Sequence, residues 1–257
     1  DAALFQEALA GYGQWQNYGS YGQVWRPDRV KADWRPYANG RWVPSQEGYV
    51  FETNEPWGWA TYHYGNWLPT KDLGWVWVPG RTWYPHTVNW RSNDENVGWA
   101  PVPPPTSLEG DTAAFGEYPT EAYGTTSALP AYGPSMGGSL LGSSAWLFTR
   151  AADFLLGWGQ PYSSSYSYAN SGVLLAPQYI PEVYERTVYV NNYVSPSYAA
   201  NAYYNWGPPL TYVSKVNNIH NLEAERRCRD LRLARLHNVL PPAAMVPLMT
   251  MPILAKV

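Results

Sequence analysis

Four acidic residues stand in pairs that could do hydrolytic chemistry. Glu52 and Glu55, or Asp94 and Glu95, could supply the two carboxylates of a glycosidase. Both pairs fall in predicted turns, where acidic side chains are expected to face solvent. We therefore interpret them as turn residues and predict no catalytic residue among them.

Histidine and cysteine give similarly weak signals. His63 and His86 could begin a metal site, but no further Asp, Glu or His is spaced to complete it. Cys228 lies between Arg227 and Arg229, which could lower its pKa, although we interpret it as a small residue on a helix. No Gly-x-Gly-x-x-Gly motif for phosphate binding is present. The sequence thus predicts a non-enzymatic protein that needs no metal and no cofactor.

The densest aromatic cluster could bind a ligand by stacking. Its members are Trp57, Trp59, Tyr62, His63, Tyr64 and Trp67. One interpretation is an exposed platform whose rings stack on sugars, with His63 as a polar contact. The alternative, which we favour, is that these side chains form the core of two hairpins. Equivalent positions recur at Trp34, Tyr37 and Trp42 without a histidine.

The recurrence reflects a repeat in the first part of the chain. The segment 34–42 is matched by the segment 59–67, and every matched position is displaced by 25 residues. Further copies begin at Trp15 and, in degenerate form, at Trp83. A period this short is typical of one supersecondary unit per repeat.

Each repeat is predicted to be a β-hairpin, because aromatic and β-branched residues flank a polar turn. In GWVWVPG (74–80) the period of two places Trp75 and Trp77 on one face and Val76 and Val78 on the other. A glycine such as Gly74 precedes the second strand, where it allows positive φ or a close backbone approach.

Composition divides the chain into three zones. Residues 1–105 hold 12 of the 15 Trp and form a predicted hairpin-repeat domain, and residues 106–172 form a Gly/Ser/Tyr-rich insertion or linker. Residues 173–257 contain a predicted strand near 186–194, a helix and an apolar arm. The predicted fold class is mainly β: aromatic-rich hairpins, an irregular middle, one C-terminal basic amphipathic helix and an extended apolar tail.

The C-terminal zone offers two predicted interaction surfaces. The helix from Leu222 to about Leu240 could bind anionic lipid or dock on protein through a basic interface. That interface consists of Arg226, Arg227, Arg229, Arg232 and Arg235. The tail is apolar and rich in Pro and Met, so we expect it to lie in a groove of its own subunit or across a neighbour as an assembly arm. The apolar residues of the arm are Leu240, Met245, Val246, Leu248, Met249, Met251, Ile253 and Leu254.

Charge and the N-terminal residues bear on partners and location. The formal net charge is −3, so no overall field favours nucleic acid, and no apolar run approaches the ~20 residues of a membrane-spanning helix. The chain begins Asp1-Ala2-Ala3 without a basic or apolar leader, as a secreted chain does after signal-peptide removal. We expect a periplasmic or extracellular protein.

The order of the aromatic motifs is distinctive. It runs YGQW (12–15), YGQVWRP (21–27), DWRPY (33–37), GRWV (40–43), EPWGWATYHYGNW (55–67), GWVWVPG (74–80) and GWAPVPP (98–104). The order resembles a Tyr/Trp-rich family of secreted bacterial proteins of unknown function, densely across residues 4–104 and weakly beyond. The resemblance implies export in a Gram-negative-type bacterium and brings no catalytic residues.

Three functions remain open at this point. The first is a structural subunit of a homo-oligomeric or filamentous extracellular or envelope assembly, held by aromatic packing and an exchanged C-terminal arm. The second is a module that binds polysaccharide or cell wall through exposed Trp and Tyr. The third is an accessory subunit that coats another envelope complex. We favour the first, because a chain with only 14 % charged residues suits a surface covered by copies of itself or other partners.

Overall fold

The computed structural model describes residues 2–45, 48–70, 72–104, 143–155, 173–194 and 204–216. Within them the protein is mostly β, as the sequence predicts. The strands are β1 (Gly13–Asn17), β2 (Gln23–Pro27), β3 (Arg41–Ser45), β4 (Gly48–Glu52), β5 (Tyr64–Thr70), β6 (Gly74–Trp83), β7 (Val88–Ser92), β8 (Asn96–Pro101), β9 (Leu147–Arg150), β10 (Val188–Tyr189), β11 (Tyr193–Val194) and β12 (Tyr204–Asn205). The α-helices are α1 (Ala2–Leu9), α2 (Gly58–Thr61), α3 (Ile180–Arg186) and α4 (Leu210–Val216).

The first eight strands form four successive antiparallel hairpins, which confirms the predicted hairpin repeats. Each hairpin places two aromatic residues directly opposite each other. The pairs are Trp15 with Trp25, Trp42 with Phe51, Trp67 with Trp77, and Trp90 with Trp99. Aromatic pairs across neighbouring strands are a main source of sheet stability, so each repeat carries its own stabilising contact.

Glycines shape the hairpins in two ways. Gly22, Gly48 and Gly74 precede or begin the second strand with φ of 66°, 88° and 70°, where a side chain would be strained. Gly65 has φ of 70° as well, and a Cβ there would lie 2.1 Å from the carbonyl oxygen of Val78. Gly65 therefore allows both the backbone turn and the close approach of the neighbouring strand at the bulge between β5 and β6.

Two four-stranded sheets organise the hairpins. One has the strand order β1-β2-β6-β5, and the other has the order β10-β7-β8-β9. The hairpin β3–β4 and the pair β11–β12 form separate two-stranded sheets. Strands β9 and β10 come from the later zones of the chain, so the described parts of those zones pack on the hairpins. The zone boundaries themselves stay predictions.

The main core consists largely of aromatic rings. Its completely buried indoles belong to Trp25, Trp42, Trp67, Trp77, Trp90 and Trp99. Trp146 is also completely buried, but it packs in a separate cluster with Phe148 and Ile180. The predicted alternation in β6 is present: Trp77 lies in the main core, whereas Val76 and Val78 lie in a small second core with Val24 and Leu68. Most Trp residues are thus framework residues.

Residues at equivalent positions of the 25-residue repeat contact each other in the structure. Tyr37 and Tyr62 occupy equivalent repeat positions, and their rings lie 4.6 Å apart between centroids. The hydroxyl of Tyr37 hydrogen-bonds the carbonyl oxygen of Tyr62 at 3.0 Å. Tyr37 is fully buried and has φ of 63°, which is unusual for a residue with a large side chain. Two repeats therefore interlock through their equivalent tyrosines.

The structure differs from the sequence-based prediction in the four α-helices of the described residues and in one strand. Helix α1 was not predicted, and it packs Phe5 against the rings of Trp59, Tyr64 and Trp77. The single strand predicted near 186–194 is instead two short strands, β10 and β11, because the asparagines between them are poor strand formers. Helices α2, α3 and α4 were also missed. The predicted helix at 222–240 and the apolar tail lie outside the described residues.

Candidate functional site

The aromatic cluster predicted as a possible platform lies mainly in the interior. Trp57, Tyr62, His63, Tyr64 and Trp67 are all buried, and Trp59 is half-buried against the main core. The ring of Trp67 makes edge contacts with Trp25 and Trp34, at 6.4 and 5.4 Å between centroids. A platform needs exposed ring faces, so this geometry favours the alternative that the cluster is part of the core.

The prediction that Glu52 and Glu55 face solvent in a turn is wrong, because both side chains are largely buried and have internal partners. Glu52 forms a largely buried ion pair with Arg41 at 2.6 Å. Glu55 is 9 % exposed, and it accepts hydrogen bonds from the indole N–H of Trp34 at 2.7 Å and from the hydroxyl of Tyr62. Burial raises the pKa of Glu55, and these two donors oppose that rise. Glu55 thus fixes Trp34 to the core.

The second acidic pair lies in the turn between β7 and β8. Asp94 and Glu95 are exposed, as predicted for turn residues. Glu95 forms an ion pair with Arg186 at 3.4 Å, and Arg186 also pairs with Glu182. Exposed pairs of this kind contribute little to stability.

Both histidines that could have begun a metal site are held by the core. The Nδ1–H of His63 donates to the carbonyl oxygen of Tyr84 at 2.9 Å, and its ring stacks on Trp83. His86 is completely buried, and its Nδ1 accepts a hydrogen bond from the backbone N–H of Val88 at 3.3 Å. Burial, and to a lesser degree His63, lowers the pKa of His86 to about 3. Among the described residues, no group of three or more His, Cys, Asp and Glu could hold a metal ion.

The remaining sites predicted from the sequence cannot be placed. The basic interface at 226–235, Cys228 and the assembly arm at 240–254 all lie outside the described residues. A serine that was not predicted as a site residue, Ser135, also lies outside them and stands in Gly133-Pro134-Ser135-Met136-Gly137. That spacing matches a nucleophile elbow, which requires a strand before the serine and a helix after it. The surrounding Gly- and Ser-rich sequence favours neither.

A surface cleft of about 390 Å³ is the best candidate for a binding site. Three segments build it: the end of β2, the connection that follows it, and the turn between β5 and β6. Its charged lining residues are Arg26, Lys31, Asp33 and Arg35. Its aromatic lining residues are Trp34 and Trp75. We call this site the basic cleft, since three cations and one carboxylate line it in a chain whose formal net charge is −3.

Contacts with neighbouring residues of the protein hold the lining of the basic cleft in place. The indole of Trp34 is half-buried and is tethered by Glu55, as described above. Trp75 is half-buried on β6, and the guanidinium carbon of Arg35 lies over its ring at 6.0 Å from the centroid. One Nη of Arg35 donates to the carbonyl oxygen of Ala145 at 2.6 Å. These contacts preorganise two rings and a cation at one surface.

The two arginines of the basic cleft retain unused donors. Within the described residues, the Nε–H groups of Arg26 and Arg35 are buried and have no hydrogen-bond partner. Burial lowers the pKa of Arg35 to about 10, so the side chain stays cationic at neutral pH. A buried donor without a partner is costly, and because these two Nε atoms have almost no accessible surface, they are not contact points for a ligand.

Sequence reasoning missed these residues although a signal was present. The tripeptide Trp-Arg-Pro occurs at 25–27 and again at 34–36. Its arginines, Arg26 and Arg35, both line the basic cleft. The duplicated tripeptide is the pattern that could have pointed to the site.

No helix among the described residues is both long enough and apolar enough to cross a membrane. No curated protein and no solved structure matches the chain. Residues 6–106 match the model of a family of unknown function, DUF6600, which confirms the resemblance seen in the order of the aromatic motifs.

Proposed function

We propose that this protein is a non-enzymatic, secreted binding module that holds a polysaccharide of the cell envelope or extracellular matrix in the basic cleft. The observation that carries the proposal is the pairing of two half-buried indoles, Trp34 and Trp75, at the surface of a framework whose other tryptophans are mostly buried. Trp rings offer flat apolar area together with a polar group, which suits the faces and hydroxyls of sugar rings.

The shape of the basic cleft supports a polymeric ligand. Its volume of about 390 Å³ is at the lower end of the ~300–1,000 Å³ that small-molecule sites span. The rim residues Lys31, Asp33 and Gly74 are exposed, so the cleft has an open side. An open cleft allows a chain to extend beyond the contacts, whereas an enclosed cavity would favour a complete small molecule.

The buried aromatic network supports the non-enzymatic part of the proposal. The acidic and histidine side chains of the interior are engaged with core groups: Glu55 with Trp34, Glu52 with Arg41, and His63 with Tyr84. Because Ser135 stands in a spacing typical of nucleophilic serines, a catalytic role for it needs an experimental test. A fluorophosphonate probe should leave the full chain unlabelled, and stoichiometric labelling lost in Ser135→Ala would contradict the proposal.

The homo-oligomeric or filamentous assembly, and the coating of another envelope complex, stay predictions from the sequence. They depend mainly on the apolar arm at 240–254, which lies outside the described residues. A binding module and an assembly subunit are compatible roles, since the basic cleft and the arm involve different residues.

Calorimetric titration of the full chain tests the proposal. The ligands are peptidoglycan fragments and a set of neutral and acidic glycans. Trp75→Ala removes a ring of the basic cleft and should weaken binding about tenfold or more, as truncation of a central aromatic contact does. The matched control is Trp59→Ala, which removes another half-buried indole outside the cleft.

Two outcomes would contradict this assignment. Loss of binding in Trp59→Ala with full binding in Trp75→Ala would place the site on the aromatic cluster at 57–67. Absence of binding to every glycan by the folded chain would remove the proposed function itself.

A further inference from the structure

The charged groups of the basic cleft carry a more specific inference, which rests on the proposed function. Neutral polysaccharides need no cation, yet Arg26, Lys31 and Arg35 converge on this surface and Asp33 is the acidic residue among its lining. The three cations outnumber the one carboxylate, and an excess of like charge at one surface attracts ligands of opposite charge.

We propose that the basic cleft binds an acidic polysaccharide whose sugar rings carry carboxylates, that is, a polymer of uronic acid units. In this assignment the guanidinium groups of Arg26 and Arg35 pair with ring carboxylates, while Trp34 and Trp75 contact the ring faces. Guanidinium is planar and offers parallel N–H donors that match the two oxygens of a carboxylate.

The position of Arg35 relative to Trp75 favours this ligand over other polyanions. The guanidinium carbon lies 6.0 Å from the centroid of the indole. A ligand that uses both groups needs its anionic group directly beside an apolar ring face. A uronic acid has this arrangement because its carboxylate is attached to the sugar ring. In a polyphosphate or a polyglutamate chain, no sugar ring face accompanies the charge.

The experiment compares two forms of one ligand by calorimetry with the full chain. The probe is an oligogalacturonate, and the matched control is the same oligosaccharide after reduction of its carboxylates to alcohols. We expect the acidic form to bind at least about tenfold more tightly, as charge-assisted hydrogen bonds imply. We expect this advantage to shrink in 0.5 M salt, since exposed charges are screened.

Substitutions test whether the preference for the acidic form arises in the basic cleft. Arg26→Gln should remove most of the preference for the acidic form, because it should weaken binding of the acidic form far more than binding of the reduced form. Arg35→Lys keeps the charge but removes the planar fork, so it should lower the preference partially. Arg150→Gln, which removes a 72 % exposed cation outside the cleft, should change neither affinity. Circular dichroism checks that each variant is folded.

Each result decides between the two proposals. Equal affinity for the acidic and reduced forms would overturn the inference and leave the polysaccharide-binding function standing. The inference would also be overturned if polyglutamate or polyphosphate of equal charge bound as tightly as oligogalacturonate, because sugar rings would then be unnecessary for binding. Failure of every glycan, neutral or acidic, to bind would instead refute the proposed function.

Discussion

Substitution of His86 by glutamine tests whether the aromatic interior keeps this imidazole neutral. His86 is completely buried, with the rings of Trp42 and Trp90 edge-on at 5.4 and 5.3 Å between centroids. Its Nε2 is buried without a partner among the described residues. An imidazolium here would carry an uncompensated charge in an apolar environment, which is why burial lowers the pKa from 6.5 to about 3.

The sign of the pH effect follows from this shift. The unfolded chain binds a proton at His86 near the ordinary pKa of 6.5, whereas the folded protein binds it only near pH 3. The unfolded state therefore gains protons first as the pH falls, and the free energy of unfolding decreases below about pH 6.5. Between pH 7 and pH 5 the folded state stays neutral, so the loss attributable to His86 is about 2 kcal/mol. This value changes little if the folded pKa is one unit higher.

Urea unfolding of the wild type and of His86→Gln at pH 7 and pH 5 measures the effect. The variant should lose about 2 kcal/mol less than the wild type over this interval, because glutamine does not titrate. Glu55, whose pKa is raised by burial, stabilises the fold as the pH falls, and its contribution cancels because both proteins contain it. Equal losses in the two proteins, or an NMR signal of charged His86 in the folded protein at pH 5, would refute the reasoning.

Three further perturbations test the framework, the cleft and the tail. Gly65→Ala should cost about 2 kcal/mol more than Gly74→Ala in urea unfolding, because both glycines have φ of 70° but only Gly65 faces a close backbone oxygen; equal costs would contradict the steric argument. Glu55→Gln should destabilise the fold by about 1–3 kcal/mol and weaken glycan binding, since an amide oxygen replaces the carboxylate that accepts from Trp34; unchanged affinity would show that this tether does not position the ring. Removal of 241–257 should reduce the mass measured by light scattering if the tail exchanges between subunits, and an unchanged assembly would rule out the exchanged arm.

The hairpin repeat could be predicted from the sequence because its signals are local. The period of two, the polar turns and the glycines at or just before the start of three of the four second strands all lie within 25 residues. These local patterns predict which segments pair, and the structure supplies the register, with Trp67 opposite Trp77 and Trp42 opposite Phe51. How the hairpins combine into sheets could not be predicted, because β2 pairs with β6 across three intervening strands and this pairing leaves little local signal.

For the candidate site, too, local sequence patterns do not show which residues lie close together in the fold. The cluster around Trp57 and Tyr62 attracted attention because aromatic residues are dense there, but density along the chain does not show which ring faces reach the surface. The basic cleft depends on Arg26, Arg35 and Trp75, which come from separate parts of the chain. Their proximity is a tertiary property, and the duplicated Trp-Arg-Pro tripeptide was the one local trace of it.

Trp34 links the framework to the proposed site. Its ring packs against Trp67 in the core, its indole N–H is held by Glu55, and its remaining surface lines the basic cleft. A ring fixed on two sides loses little side-chain entropy when a ligand binds. The rigid core therefore favours binding because it lowers this entropic cost. The dense aromatic packing is then useful to the site as well as to stability. On this argument, loosening Trp34 through Glu55→Gln should weaken binding more than the loss of stability alone explains.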